Sequence, residues 1–391
     1  MHQKNMSHAV APCSYLREEL RTTLHRVTGH NSFDYAGVNV YSTFTRSIAN
    51  PIFESDVYMV KIKDVADAAG VSTATVSRVL ANKPHVRTEV QKHVMDVVQR
   101  LNYRPNRVAQ NLRSNSSKII ALIVSDIENP FFQRVSRAVD DAAYEQGYSM
   151  MLCNTDENPA KEEAYLNLLR DENVAGVILS PTRQAVANLS DAPAPDMPMV
   201  IIDRHANNLD IDNVLIDNVQ SAHIITSHLI EHGYRRIGGL FGMGSTTGRE
   251  RREGFMQALK DHNIKPATEL IKYANPREED GFTTTMKLLE MQDRPDAILT
   301  SNSLLAAGVL LAIRESKLEI PGDIAFASFD DTTCAQLLVP ALTVIEQPTY
   351  EIGRTAAELL IKRIEDPTRS NREVVLKTKL IIRQSCGCQI N

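Results

Sequence analysis

Long apolar runs are missing from this chain: nowhere in its 391 residues does one reach the roughly 18 to 20 residues of a membrane span. The first residues also lack the basic-then-apolar order of a secretory leader, so the cytoplasm is the expected location and no membrane partner is anticipated. Cysteine is sparse. Cys13, Cys153, Cys334, Cys386 and Cys388 are scattered and odd in number, which argues against a disulfide framework. Net positive charge is absent overall, at −5, yet residues 59–118 hold 11 Lys/Arg against 4 Asp/Glu, a balance of +7 that leaves −12 for the remainder. A basic module joined to an acidic one is the footprint of a chain in which one part meets a polyanion and the other does not. What is present is 43% hydrophobic residues, enough for a large core, over a length that suggests two or three domains.

Residues 1–58 balance to zero charge and mix Asn, Ser, Thr and Tyr without sustained period. They read either as a disordered extension or as a mis-assigned start with Met59 as the natural first residue. Order begins just after. Ile62, Val65, Ala66 and Ala69 recur at helical spacing, Gly70 ends that helix, and Ser72 is a good N-cap for a second one striped by Val76, Val79 and Leu80. Thr88 is expected to cap a third, whose inward face is Val90, Val94, Val97, Val98 and Leu101. This is a helix-turn-helix in a three-helix unit. Thr73, Ala74, Thr75 and Arg78 are left outward at the start of the second helix, where short side chains and an arginine suit the major groove of DNA.

Next comes "YRPNRVAQNLR", in which Pro105 opens a two-turn helix with Val108, Ala109 and Leu112 on its apolar edge. A helix that short is marginal in water and forms only when something holds it. Together, "KDVADAAGVSTATVSRVLAN" and "LNYRPNRVAQNLR" resemble the LacI/GalR family of bacterial transcription regulators, over about Ile62 to Arg383. The resemblance implies a small all-α helix-turn-helix domain at 59–104 and a hinge helix and linker at 105–117. An α/β effector and dimerisation domain follows at 118–391, built of two doubly wound, periplasmic-binding-protein-like lobes. It implies that Leu112 wedges into the minor groove, as apolar side chains do where DNA is kinked. The expected DNA-facing set is Ser72, Thr73, Ala74, Thr75, Arg78, Asn82, Asn106, Arg107 and Leu112.

From Lys118 on, the runs "IIALIVSD", "SMMLCNT", "VAGVILSP", "MVIID", "RIGGLFG", "AILTSN" and "IAFASFD" alternate with helical stretches, which predicts parallel sheet covered on both faces. Ligands of such sheets bind beyond the carboxyl ends of the strands. The residues there are polar: Asp126 and Asn129 with Phe131 and Phe132, then Asp203, Arg204, Arg249, Asn302, Asp330 and Gln347. Carboxylates, amides and arginines suit vicinal hydroxyls, and phenylalanine covers an apolar ring face, so this is a sugar pocket in outline. The resemblance implies the same set, because the family's effector domain is similar to ribose-binding proteins with these residue types in this order. Ser303 departs from it, standing where the family usually has aspartate after the asparagine.

Four patterns could suggest other chemistry. "HLIEH", His228 to His232, has the spacing of a zinc protease helix, but Gly233 ends the helix at once and the sequence places no third ligand nearby. Cys386-Gly387-Cys388 lacks a second ligand pair and reads as a tail. "GMGSTTG" follows a strand, but Thr247 stands where a dinucleotide loop needs its third glycine, so it reads as the turn presenting Arg249. Of the pair Asp330-Asp331, the first reads as a ligand contact and the second as a helix cap. No catalytic residue, metal or cofactor is therefore expected. A doubly wound enzyme would need a cofactor loop or an activated nucleophile, and a transport protein would have no use for residues 62–113. The expectation is a regulator, not an enzyme: a repressor of carbohydrate genes that binds a palindromic DNA operator as a homodimer and responds to a sugar-like effector. The chain closes with "IIRQSCGCQIN" and not with the family's leucine-heptad tetramer tail, so no more than a dimer is expected.

Overall fold

The computed structural model describes residues 60–80, 84, 86–103, 117–183, 197–205 and 211–388, which fall into two compact units divided at Pro105 and Asn106. Asn82, Asn106, Arg107 and Leu112, most of the hinge and the 1–58 extension lie outside the described residues.

The first unit is three helices: α1 (Ile62–Ala69), α2 (Thr73–Leu80) and α3 (Thr88–Arg100). Its core is Val65, Ala66 and Ala69 from α1, Val76 and Val79 from α2, and Val94, Val97 and Val98 from α3. No fully buried member exceeds valine in size, so the helices sit close together. Gly70 stops α1 at φ +62°, in the left-handed region that side chains avoid, and its N–H and the next close back on α1 carbonyls. Ser72 caps α2 as expected, its Oγ accepting the Thr75 N–H at 3.1 Å. Thr88 does not cap α3: Arg87 holds the N-cap position without a side-chain bond, and Thr88 is already the first helical residue.

The second unit contains two lobes, each a six-stranded sheet. In the first lobe β1 (Ile119–Val124), α4 (Pro130–Glu145), β2 (Ser149–Asn154), α5 (Pro159–Asp171), β3 (Gly176–Leu179), β4 (Met199–Ile202) and β5 (Asp212–Ile216) follow in turn. Both helices start the same way, Asn129-Pro130 and Asn158-Pro159: an asparagine caps, and a proline at the first position fixes φ where no donor is needed. The second lobe runs α6 (Asn218–Glu231), β6 (Ile237–Gly242), α7 (Thr246–Asp261), β7 (Ile271–Ala274), α8 (Glu278–Leu289), β8 (Ala297–Thr300), α9 (Ser303–Glu315), β9 (Ala325–Phe329), α10 (Thr333–Leu337) and β10 (Thr343–Glu346). The chain then returns with α11 (Thr349–Glu365) and β11 (Glu373–Leu376) to the first lobe, and ends with β12 (Lys379–Ile381) in the second.

The sheet orders are β11-β5-β4-β3-β1-β2 and β12-β10-β9-β8-β6-β7, parallel throughout except where β12 runs antiparallel to β10. The chain therefore crosses between lobes three times, near residues 217, 348 and 378. The seven apolar runs are all strands. Their residues are almost continuously buried, because helices cover both faces as the expected parallel sheet requires, except in the edge strand β2, where only Cys153 is buried. Five strands carried no such run: β5, β7, β10, β11 and β12. β7 and β11 are edge strands with half-exposed residues, and β5 begins with Asp212, fully buried on Arg363 at 3.0 and 3.1 Å and on the Arg372 N–H at 2.8 Å. Among the described residues no helix is long and apolar enough to cross a membrane.

Candidate functional site

In the first unit, Ser72, Thr73, Ala74 and Arg78 are exposed and Thr75 is half-buried, while Val76 and Val79 on the opposite side of α2 are in the core. Ser72 and Thr75 are occupied with each other, Oγ to Oγ1 at 2.9 Å. Thr73 and Ala74 in the first turn of the helix and Arg78 one turn further on form its outer face: a hydroxyl, a methyl and a guanidinium, the groups that read thymine and guanine edges.

In the second unit a cavity of about 70 Å³ lies between the lobes, at the carboxyl ends of the strands. Nine of the ten residues expected to bind an effector line it: Asp126, Asn129, Phe131, Phe132, Asp203, Arg204, Asn302, Asp330 and Gln347. Asn129 and Asn302 each also cap a helix, accepting the N–H of Phe131 at 3.0 Å and of Leu305 at 2.8 Å. The cap fixes the amide at the cavity wall. Phe131 and Phe132 meet edge to face with centroids 4.9 Å apart. Asp203 and Asp330 end their strands at φ +68° and +76°. Left-handed backbone at an aspartate costs of order 1–3 kcal/mol and persists where surrounding structure holds it, often at binding sites.

Arg249 is the exception. It is exposed, and Arg251 is buried on the cavity instead. Ser245 caps α7 by accepting the Gly248 N–H at 2.9 Å, and Gly248, Arg251, Phe255 and Ala258 then repeat at helical spacing along the buried face. Arg249 is two residues, about 200°, from Arg251 at 3.6 residues per turn and so points away from the cavity. Gly248 admits the turn itself, because a Cβ there would stand 2.2 Å from the Gly242 oxygen. Arg251 is held by the Asn218 Oδ1 at 2.8 Å and the Ser301 carbonyl, with its guanidinium 4.1 Å over the Phe329 ring. Burial pulls this guanidinium below its ordinary range, against Asp330 and Asp203, which raise it.

Two further lining residues belong to strand ends already recognised: Glu157 just past β2 and Arg183 just past β3. The rule that marked Asp203 and Asn302 would have found them. Arg204 is buried and forks onto Glu157, with Nη2 on Oε1 and Nη1 at 3.1 Å from Oε2, and also donates to the Pro181 carbonyl at 2.7 Å. Arg183 joins Glu157 at 3.3 Å and crosses the cleft to the Met243 carbonyl at 2.6 Å. Thr182 is anchored by its N–H to buried Glu162 at 2.6 Å. Opposite, Asp330 accepts from Gln347 Nε2 at 2.6 Å and from the Ser303 N–H at 3.0 Å. Ser303, where the resemblance breaks, thus supports the site through its backbone. Asp331 is not a helix cap: Thr332 caps α10, and Asp331 pairs with Arg383 at 2.8 Å.

Burial raises the Asp203 carboxyl against its arginine neighbours. At Glu157 burial also pushes upward, but the Arg204 and Arg183 contacts win and hold the carboxyl below its ordinary range. A carboxyl lowered on folding contributes stability above its unfolded value, roughly 4.3, and loses it as pH falls through the lower folded value. Glu157→Gln is therefore expected to lower the melting temperature at pH 7 and to have progressively less effect below about pH 4. Thermal melts of both proteins across that range measure the convergence; parallel curves would show that Glu157 is not paired as described.

A family model described as bacterial regulatory proteins, lacI family, matches residues 61–106, and one described as periplasmic binding protein-like domain matches residues 226–386. The chain is 33% identical over 334 residues to the HTH-type transcriptional repressor PurR of Mannheimia succiniciproducens, covering 84% of this chain and 98% of that one. It is 36% identical over 328 residues to the ribose operon repressor of Halalkalibacterium halodurans, covering 84% and 97%. Among solved structures it is similar to the lac repressor dimer bound to operator and the anti-inducer ONPF, with 26% identity, TM-score 0.75 and coverage of 84% and 99%. It is also similar to the transcriptional regulator CelR in complex with cellobiose, with 27% identity, TM-score 0.61 and coverage of 83% and 99%.

Proposed function

The chain belongs to the LacI family of bacterial transcriptional regulators, sequence-specific DNA-binding proteins and not enzymes, and from that premise we propose that it represses carbohydrate-utilisation genes until a small sugar releases it. The single observation that carries the sugar reading is the convergence of Asp203, Arg251, Asp330, Asn302 and Gln347 on one cavity between the lobes, beside Phe131 and Phe132. Carboxylates accept from vicinal hydroxyls, guanidinium and amide groups donate to them, and the phenyl pair supplies apolar contact for C–H faces. Four carboxylates and three arginines line the cavity together, which favours a neutral polyol over an anion. Similarity to a ribose operon repressor and to a cellobiose-bound regulator supports the same ligand class.

The chain acts as a homodimer in which each copy places Thr73, Ala74 and Arg78 in one half-site, so the operator is a near palindrome. Asn82, Asn106, Arg107 and Leu112 keep the DNA-facing roles the resemblance gives them. Lobe closure on the sugar is the signal, and Arg183, bonded across the cleft to Met243, is placed to register it.

Thermal melts against pentoses, hexoses, sugar acids and nucleosides test the reading. A ligand at 100 times its Kd stabilises the folded state by about 2.7 kcal/mol, a shift of several degrees. One neutral sugar is expected to give that shift and to release a palindromic duplex in a retardation assay. A response confined to nucleosides, or none to any sugar, would overturn the sugar assignment.

A further inference from the structure

The fold joins two patterns that mean little apart. His228 and His232 lie one turn apart on α6, with ring centroids 4.3 Å from each other. Some 156 residues later, Cys388 brings its Sγ to 2.8 Å from His232 Nε2. Cys386 Sγ is 3.2 Å from His228 Nε2 and 3.3 Å from Cys388 Sγ, and Cys388 Sγ is 3.7 Å from His228 Nε2. The "HLIEH" helix thus gains its missing ligands, and the Cys-Gly-Cys tail its missing pair. From these four side chains we infer a structural zinc site, formed by His228, His232, Cys386 and Cys388, that fastens the C-terminal tail to α6.

Geometry carries the inference. With Zn–N near 2.0 Å and Zn–S near 2.3 Å, ligand atoms in a tetrahedron stand about 3.3 to 3.8 Å apart. Four of the six ligand separations, 2.8 to 3.7 Å, approach that spacing, and the shortest, nitrogen to sulfur, needs to open by about 0.7 Å. His228, Cys386 and Cys388 bring their ligand atoms all within 4.8 Å of one another, and His232, which joins them through Cys388, completes the sphere by a shift of its exposed ring. The ring of His232 is set for ligation. Its Nδ1 lies 2.8 Å from the His228 carbonyl, which only accepts, so Nδ1 bears the proton and the lone pair of Nε2 faces Cys388. Thr343 Oγ1 donates to Cys386 Sγ at 3.1 Å, the kind of outer bond that supports a thiolate ligand. The tail is shaped to bring both sulfurs together. Gly387, at φ +85°, turns the chain back after Cys386, and the Tyr234 hydroxyl donates to the Cys386 carbonyl at 3.3 Å.

Charge fits as well. Binding Zn²⁺ displaces one proton from each thiol to solvent, and two thiolates then cancel the metal's charge. The filled site is neutral, which suits a place where Cys386 and His228 are buried. It also sits at the carboxyl end of α6, where the helix dipole favours a cation. Four protein ligands of N₂S₂ type close the coordination sphere, which is the pattern of a structural zinc and leaves no position for substrate.

Cobalt substitution of the reduced, chelator-stripped full-length protein tests the site without requiring activity. Co²⁺ is expected to bind one equivalent per chain, with intense tetrahedral visible bands and a thiolate charge-transfer band, and Zn²⁺ to displace it. Cys388→Ser and His232→Asn change groups at the rim of the cluster, so folding should survive, as circular dichroism would verify. Each should lower zinc affinity by at least about 100-fold, the upper end of what losing a mere outer-shell partner costs. Zinc should also raise the melting temperature of the unaltered protein and not of Cys388→Ser. A weak octahedral cobalt spectrum in the unaltered protein, or a tetrahedral one that persists in Cys388→Ser, would overturn the site. So would two free thiols that take up no metal at all.

Discussion

Replacing Arg251 with alanine is expected to abolish the effector response, while the same change at Arg249 leaves it within about two-fold, as for an exposed surface substitution. Arg251 is fixed by Asn218, Ser301 and the Phe329 ring, with Asp203 and Asp330 close enough to act on its charge. Hydrogen bonds from a charged donor contribute about 1.5–3 kcal/mol each, and every 1.4 kcal/mol is tenfold in affinity. Two such bonds to sugar hydroxyls would make the loss at least 100-fold. Alanine also takes one of two neighbouring positive charges from Asp203 and a nearby one from Asp330, so stability falls too. Arg251→Lys separates the effects: the charge stays, the planar fork goes, and binding should still drop by more than tenfold in a folded protein. Calorimetric titration of the effector selected by thermal melts provides the measurement. Equal affinity in Arg251→Lys and the unaltered protein would remove Arg251 from the binding set.

Operator affinity is expected to fall by about 1–3 kcal/mol in Arg78→Ala, with selectivity relaxed at one base pair in each half-site. The guanidinium is exposed on the outer face of α2, whose inner face is locked by Val76 and Val79, so a bidentate pair with guanine needs little reordering. Removal leaves the three-helix core untouched, and the melting temperature should not change. Binding to random DNA, which rests on phosphate contacts from many Lys and Arg, should lose far less. Retardation assays on operator and random duplexes at one salt concentration compare the two. An equal loss on both would reassign Arg78 to a phosphate.

The local pattern of residues determined a good deal. Valine and alanine at helical spacing, Gly70 after the first helix and Ser72 before the second were sufficient to specify the helix-turn-helix, because period, stop and cap are properties of a few neighbouring residues. Seven strands, six of them buried, were legible for the same reason: a parallel sheet covered on both faces demands uninterrupted apolar runs. The position of residues beyond strand carboxyl ends then marked nine of the cavity's residues, seven polar side chains and the two phenylalanines.

Tertiary structure decided the rest. Which arginine of α7 meets the cleft depends on the face the helix packs, and Gly254, whose Cβ would stand 1.9 Å from the Val219 oxygen, seats α7 against α6 so that Arg251 turns inward. The edge strands β7 and β11 are half-exposed and lack a continuous apolar run, so their membership in a sheet comes from the partner strand and not from their own residues. Glu157 acquires its role only when Arg183 and Arg204, from two later segments, arrive beside it. The His–Cys cluster is the extreme case. Its halves are 156 and 158 residues apart at their closest contacts, and only the return of β12 beside β10 carries the tail to the end of α6. A sequence displays spacing along one chain, whereas ligation and charge pairing depend on distances of about 2–4 Å in space, which strand order and helix rotation fix together.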